Sequence, residues 1–267
     1  MKAIAAAFDA RLLDVHRDPD HDRSVFTLAG APGALAHAVL GGAREAITRI
    51  DLRACTGVHP RVGALDVAPI VYLDECARGG ACAEALVLAD LLGHELELPV
   101  FLYGELGGGR TRAELRRGGP EELARRVRDQ ELTPDFGPRA LDPRTGAALV
   151  AARPPLVAFN VELSAPATEQ DARAIAHRIR EGGEEGLAGI RALGLWLPER
   201  SLAQVSTNIE NPAKTSPGDV VKAVARHARV AAVELVGLAP EWALATLPAD
   251  LQVKNRRTIE DALRDSA

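Results

Sequence analysis

Aromatic residues make up only 3% of this 267-residue chain, so it lacks the stacking platforms on which readers of single-stranded nucleic acid depend. It has no basic excess either. The formal net charge is -5, built from many charges of both signs, and that excludes the electrostatic footprint of a nucleic-acid binder. Cys55, Cys76 and Cys82 are odd in number and form no C-x-x-C pair, so neither a zinc ribbon nor a disulfide framework is expected, and they read as reduced thiols of a cytoplasmic protein. No apolar stretch reaches the roughly eighteen residues a membrane helix needs. Asp9 and Arg11 interrupt the alanine-rich start before the apolar region of an export signal can form. A G-x-S-x-G nucleophile motif is also missing. What is present is a 47% share of hydrophobic residues, enough core for one large domain or two small ones.

The second half carries the cleaner pattern. Residues 156–163 form an apolar run after Pro154-Pro155 and read as a strand. Thr168 with Asp171 makes a capping-box start, Ala172, Ile175, Ala176 and Ile179 line one helix face, and Gly182-Gly183 stop it. Residues 191–197 and 202–209 read as a hairpin around the turn Pro198-Glu199-Arg200-Ser201. Ser216, Pro217 and Asp219 open a second helix to about residue 228, and residues 231–237 close the unit as a strand. The order β-α-β-β-α-β is the ferredoxin-like plan, with an antiparallel sheet and both helices on one face.

The first half nearly repeats it: a helix at 3–10, strands at 12–15 and 24–29, a helix at 33–49 and a strand after residue 64, then a helix at 81–96 and a strand at 100–103. Its opening strand is missing from the element order. The Pro-, Gly- and Arg-rich stretch 134–155 places a boundary near residue 150. The expected fold is therefore α/β (α+β), with two ferredoxin-like subdomains, residues 1–150 and 151–267, each a mostly antiparallel sheet with helices on one face.

One segment concentrates chemistry. His59-Pro60-Arg61-Val62-Gly63-Ala64-Leu65-Asp66-Val67 hangs a titratable His and an Arg on the entry to an apolar strand, shaped by Pro60 and Gly63. Taken alone, a His before a strand is more often a structural hydrogen-bonding group than a catalytic one.

This segment resembles the HPRxGALDVxPF signature of the glutamate formimidoyltransferase (formiminotransferase) family. Further blocks are similar in the same order. Leu13-Asp14-Val15-His16 with residues 18–25 resembles LDVHSDPDHNRSV, residues 102–105 resemble LYGE and residues 134–138 PDFGP. Residues 157–161 resemble VAFNV, residues 204–208 QVSTN and residues 234–238 ELVGL. The resemblance implies two α/β subdomains clasping folate in a cleft. The implied reaction moves a formimino group from N-formimino-L-glutamate to N5 of tetrahydrofolate, in histidine degradation and one-carbon metabolism. It assigns His59 as general acid/base, since N5 must shed a proton and the leaving amine must gain one. It assigns Arg61, Arg23, Asn160 and Asn208 to the substrate, an Arg fork suiting a carboxylate, and Gly137, Pro138, Pro143 and Gly146 to folate. Tetrahydrofolate is then a co-substrate, no metal is needed, and a cytoplasmic homodimer is expected. A non-catalytic folate-binding relative and a transferase for a different one-carbon donor are the alternatives.

The chain departs from the family pattern in places. It starts after the family's PNFSEG-like strand, no cyclodeaminase-like region follows, and Asp22 and Glu162 add carboxylates that would repel an anionic substrate if they faced it. His16, Asp18, Asp20, His21 and Asp22 are dense in metal-ligand types and begin like a calcium loop. Arg23 occupies the place of that loop's Gly and Ala29 that of its Glu, so a solvated turn between two strands is expected instead, with the family resemblance adding the alternative that the turn borders the substrate and Arg23 helps hold a carboxylate. The Arg116, Arg117, Arg125, Arg126 and Arg128 series reads as a solvated helix face, Gly107-Gly108-Gly109 as a mobile loop, and Trp196 and Trp242 as core or interface residues.

Overall fold

Ala148, Val150 and Ala152 face one cluster of apolar side chains and Leu149 and Ala151 another, so a single short strand is buried on both sides. That pattern belongs to a parallel strand with helices above and below. The computed structural model describes residues 1–265 and divides into two compact units, Met1–Leu12 with Leu28–Pro154, and Leu13–Thr27 with the chain from Pro155 onward. Chain order begins α1 (Lys2–Ala6), β1 (Arg11–Asp18), β2 (Arg23–Ala29), α2 (Leu35–Arg49), β3 (Val67–Val71), α3 (Arg78–Glu95), β4 (Val100–Leu102), α4 (Arg112–Arg116), α5 (Gly119–Arg128) and β5 (Ala148–Arg153).

In the first unit the sheet order is β3-β5-β4 and both pairings are parallel. The α/β class is as expected, but this sheet is parallel rather than mostly antiparallel, and it is covered on both faces rather than one. The reason lies in the connections: β3 reaches β4 through α3, a crossover that leaves the two strands pointing the same way. β5, from the stretch read as a linker, then inserts between them. Leu88, Leu92, Val100, Leu102 and Val150 pack on one side, and Phe101, Leu115, Leu123, Val127 and Leu149 on the other. Each such side chain, removed fully from water, contributes about 1.5–3 kcal/mol. The start of α2 has no side-chain cap of its own. Glu84 of α3 supplies it, its carboxylate accepting from the N–H groups of Gly33, Leu35 and Ala36, where a helix N-terminus favours negative charge.

The second unit continues β6 (Val157–Leu163), α6 (Glu169–Ile179), β7 (Ile190–Leu197), β8 (Leu202–Ile209), α7 (Pro217–Ala225), β9 (Val230–Leu235), β10 (Val253–Lys254) and α8 (Ile259–Asp265). Thr168 with Asp171, and Ser216 with Asp219, form the two capping boxes that start α6 and α7. The sheet order β10-β9-β6-β8-β7 contains the ferredoxin-like order, with β6–β8, β6–β9 and β7–β8 all antiparallel. The β7–β8 hairpin pairs Ile190 with Ile209 through to Leu197 with Leu202. One sheet face, with Phe159, Val161, Val205, Ile209, Val233 and Leu235, packs under α6 and α7. The opposite face carries polar residues, because side chains alternate along a strand. β1 and β2 form a separate two-stranded sheet. Among the described residues, no helix is long and apolar enough to cross a membrane.

Candidate functional site

In the first unit, His59 lies in the loop before β3 with Nδ1 2.9 Å from the carbonyl oxygen of Pro60. A carbonyl only accepts, so Nδ1 carries the proton, and in the neutral ring Nε2 holds the lone pair. The loop around His59 is anchored rather than loose. Asp66 accepts from the N–H of Val62 at 2.8 Å, and its other oxygen takes the guanidinium of Arg116. Arg116 therefore leaves the solvated helix face it was read on, whereas Arg125 stays there, held by Glu122, Asp129 and Glu131. Arg61 stands two residues beyond His59, partly exposed.

The expected folate loop is joined to the same segment. Gly63 and Gly146 form an antiparallel bridge, Ala147 N–H donates to Val62 and Ala64 N–H to Thr145. A Cβ on Gly63 would collide with the Ala147 carbonyl, and one on Gly146, whose φ is +69°, with the Val62 carbonyl. Gly146 is buried by this contact, while Gly137, Pro138 and Pro143 are exposed. Pro143 follows Asp142 in a turn closed by Thr145 N–H to the Asp142 carbonyl, the position where a ring-fixed φ suits a turn. At the other end of the loop, Asp135 accepts from Leu102 N–H at 2.7 Å and from Arg110 at 2.6 Å, tying it to β4.

In the second unit, Asn160 and Asn208 share the polar face of the sheet, since Asn208 sits opposite Ala158, two residues before Asn160. Asn160 is 1% exposed and donates to Glu234 at 3.3 Å, and Asn208 is half-buried. Arg23, on β2, is partly exposed. The residue that organises this face was not singled out from the sequence: Arg200, in the β7–β8 turn, reaches Asp18 at 2.8 Å, Asp20 at 3.0 Å, Glu162 at 3.3 Å and Glu234 at 3.6 Å. Glu162 also takes Lys254 at 2.6 Å. Two cations thus hold the carboxylate that would otherwise repel an anionic substrate.

Burial is the largest influence on Asp18 and pushes its carboxyl upward, but the His21 backbone N–H, the His21 ring and Arg200 outweigh it and lower the pKa. The His21 ring is pushed down to about 4, chiefly by burial and then by the charge of Arg23, against the pull of Asp18. It is neutral at pH 7. A pocket of about 300 Å³ opens beside this cluster, lined by Asp14, Val15, His16, Gly237, Asn255, Arg256 and Arg257. The signal that could have found Arg200 is weak, a lone Arg in a polar turn, because its partners lie far away in the chain.

Comparison with known proteins covers both halves. The sequence model "Formiminotransferase domain, N-terminal subdomain" matches residues 1–153, and "Formiminotransferase domain" matches residues 158–261. The chain is 35% identical over 244 residues to a glutamate formimidoyltransferase of Streptococcus pyogenes serotype M1, covering 87% of this chain and 80% of that protein. It is 34% identical over 253 residues to one of Thermoplasma acidophilum, covering 91% and 82%. To the formimidoyltransferase-cyclodeaminase of Sus scrofa it is 38% identical over 261 residues, 91% of this chain but 47% of that protein, so the chain spans about half the length of the animal relatives it matches. With family sequence models matched across both halves, and relatives about one-third identical along most of their own length, the chain belongs to the formiminotransferase family.

Proposed function

We propose that this protein transfers the formimino group of N-formimino-L-glutamate to N5 of tetrahydrofolate. The observation that carries the reading is the His59 ring, with Nδ1 engaged by the Pro60 carbonyl 2.9 Å away, in a loop tied through Gly63 and Gly146 to the expected folate segment. His59 Nε2 takes the proton that N5 releases on adding to the formimino carbon and gives it to the departing glutamate nitrogen. A group titrating near neutrality serves both steps. In the first unit Arg61 holds a substrate carboxylate through its planar fork of donors, and in the second unit Arg23, Asn160 and Asn208 are the residues assigned to substrate. The exposed backbone around Gly137, Pro138 and Pro143 faces the flat folate ring, with Gly146 shaping the end of that loop. Tetrahydrofolate is a co-substrate on this reading, and the protein works as a cytoplasmic homodimer in histidine breakdown. The near-full-length relatives named glutamate formimidoyltransferase support the donor assignment.

The test is direct. Purified protein with formimino-glutamate and tetrahydrofolate releases glutamate only when folate is present, and His59→Ala lowers kcat by about 100- to 10,000-fold, the usual worth of general acid–base catalysis. Unchanged turnover in His59→Ala sinks the assigned role. Folate binding without turnover in the unsubstituted protein supports a non-catalytic relative instead.

A further inference from the structure

Among the described residues, one set of three metal-capable side chains converges. His16, Asp18 and Glu234 each place a donor atom within 4.8 Å of the others. The geometry has a simple origin: residues two apart on β1 point to the same side, and Glu234 stands on the polar face of the second unit's sheet, opposite Asn160. All three are buried, His16 to 7%, Asp18 to 3% and Glu234 to 6% exposure.

A second, independent feature is the imidazole itself. His16 Nε2 is buried and has no hydrogen-bond partner, a state that is unfavourable for a polar atom and that a metal bond relieves. Four buried carboxylates, Asp18, Asp20, Glu162 and Glu234, share the cations Arg200 and Lys254, while Arg256 and Arg257 line the neighbouring pocket, Arg257 being engaged by Asp14. Outer partners are already in position. Asn160 and Asn255 donate to Glu234 at 3.3 and 3.2 Å, and Arg200 holds Asp18, as groups that orient metal ligands do. The pocket lined by His16 and Asn255 gives an ion a way in and room for water to complete its shell.

We propose that His16, Asp18 and Glu234 bind one divalent transition cation, of the zinc or manganese class, that pins β1 to β9. One imidazole with two carboxylates suits Zn²⁺, Mn²⁺, Fe²⁺ or Co²⁺ and does not suit soft Cu(I). Donors bonded at about 2.1 Å to a common ion lie no more than about 4.2 Å apart, so binding draws the three side chains slightly together. Arg23 and Ala29 break the calcium-loop template, and the site proposed here takes its third ligand from β9 instead, where the sequence reading expected no metal.

The test uses tag-free, chelator-treated full-length protein. Calorimetric titration with Zn²⁺ shows one equivalent bound with a Kd on the order of micromolar or tighter. His16→Ala and Glu234→Gln each weaken it at least tenfold while keeping the far-ultraviolet circular dichroism of the parent. Co²⁺ as a reporter gives visible bands of nitrogen and oxygen ligation without a thiolate charge-transfer band, and Glu234→Gln diminishes them. Three results overturn the proposal: no saturable Zn²⁺ binding to the parent, binding that neither substitution weakens, or a thiolate signature placing the ion on a cysteine. Should His16→Ala fail to fold, the Co²⁺ spectra of the parent and Glu234→Gln decide the matter.

Discussion

Arg200 Nη2 lies 2.8 Å from Asp18 Oδ2, joining the turn between β7 and β8 to a carboxylate only 3% exposed at the end of β1. The same guanidinium serves Asp20, Glu162 and Glu234. Removing one partner of a buried ion pair costs more than the pair contributed, since the remaining charge is stranded. Arg200→Ala is therefore expected to lower stability by about 3 kcal/mol, read as the urea midpoint with chelator present. Arg200→Lys recovers only part, because an ammonium cannot span the same set of acceptors. A loss under about 0.5 kcal/mol, the range of an ordinary surface substitution, would show that the cluster is not held through this residue.

The contact between Gly63 and Gly146 makes a contrast among glycines measurable. A side chain at Gly63 meets the Ala147 backbone, whereas one at Gly79, in the first turn of α3, meets nothing within 4 Å. Gly63→Ala should cost on the order of 2 kcal/mol through backbone displacement, and should lower turnover by disturbing the His59 loop. Gly79→Ala should raise the melting temperature slightly, an Ala in a helix being better by about 0.5–1 kcal/mol than a Gly. Equal effects of the two substitutions would refute the close backbone approach.

How much of this was legible in the sequence depended on the range of the interaction. The capping box at Thr168, the N-cap at Ser216 and the hairpin of residues 191–197 and 202–209 rest on neighbours a few positions apart, so pattern alone located them. β5 was missed for a physical reason. Ala148, Leu149, Val150, Ala151 and Ala152 are buried on both faces, which erases the alternation that marks a half-buried strand, and Pro and Gly on either side read as a linker. Its omission also hid the parallel pairing. Glu84 capping α2 and Arg200 gathering carboxylates depend on contacts across 34 to 182 positions, and no local pattern records those. The His59 segment was recognised by its resemblance to a family. Its attachment to residues 142–147 is a contact between distant backbone segments that sequence spacing does not reveal.

Ser216 offers a stability prediction with a defined pH dependence. Hydrogen bonds from the Ser216 hydroxyl and N–H hold the Asp219 carboxyl below its ordinary pKa. A carboxyl with a depressed folded pKa contributes stability that is full above its unfolded pKa, near 3.8, and is lost as pH falls through the folded value. At pH 7, Ser216→Ala should cost about 1 kcal/mol, the typical worth of a cap. The gap between parent and variant should narrow below pH 4, where Asp219 gains a proton and its half of the box is given up. Urea midpoints measured at pH 7 and at pH 3.5 check it. A gap that widens on acidification contradicts the assignment.

Asp66 connects the fold of the first unit to the proposed chemistry. It touches no substrate on our reading. It accepts from Val62 N–H at 2.8 Å and takes Arg116, and through these contacts it sets where the chain leaves the His59 turn. Asp66→Asn keeps the shape of the side chain and an oxygen for Val62, but it weakens the link to Arg116. If positioning of His59 limits the proton transfers, kcat should fall about 10- to 100-fold, as small misplacements do. KM should hold nearly constant, because Asp66 makes no substrate contact on this reading. Arg116→Ala should reproduce the kcat loss, and the double variant should lose little more, since both act through one contact. Additive losses would separate the two residues, and a change in KM alone would place Asp66 in substrate binding instead of in the support of His59.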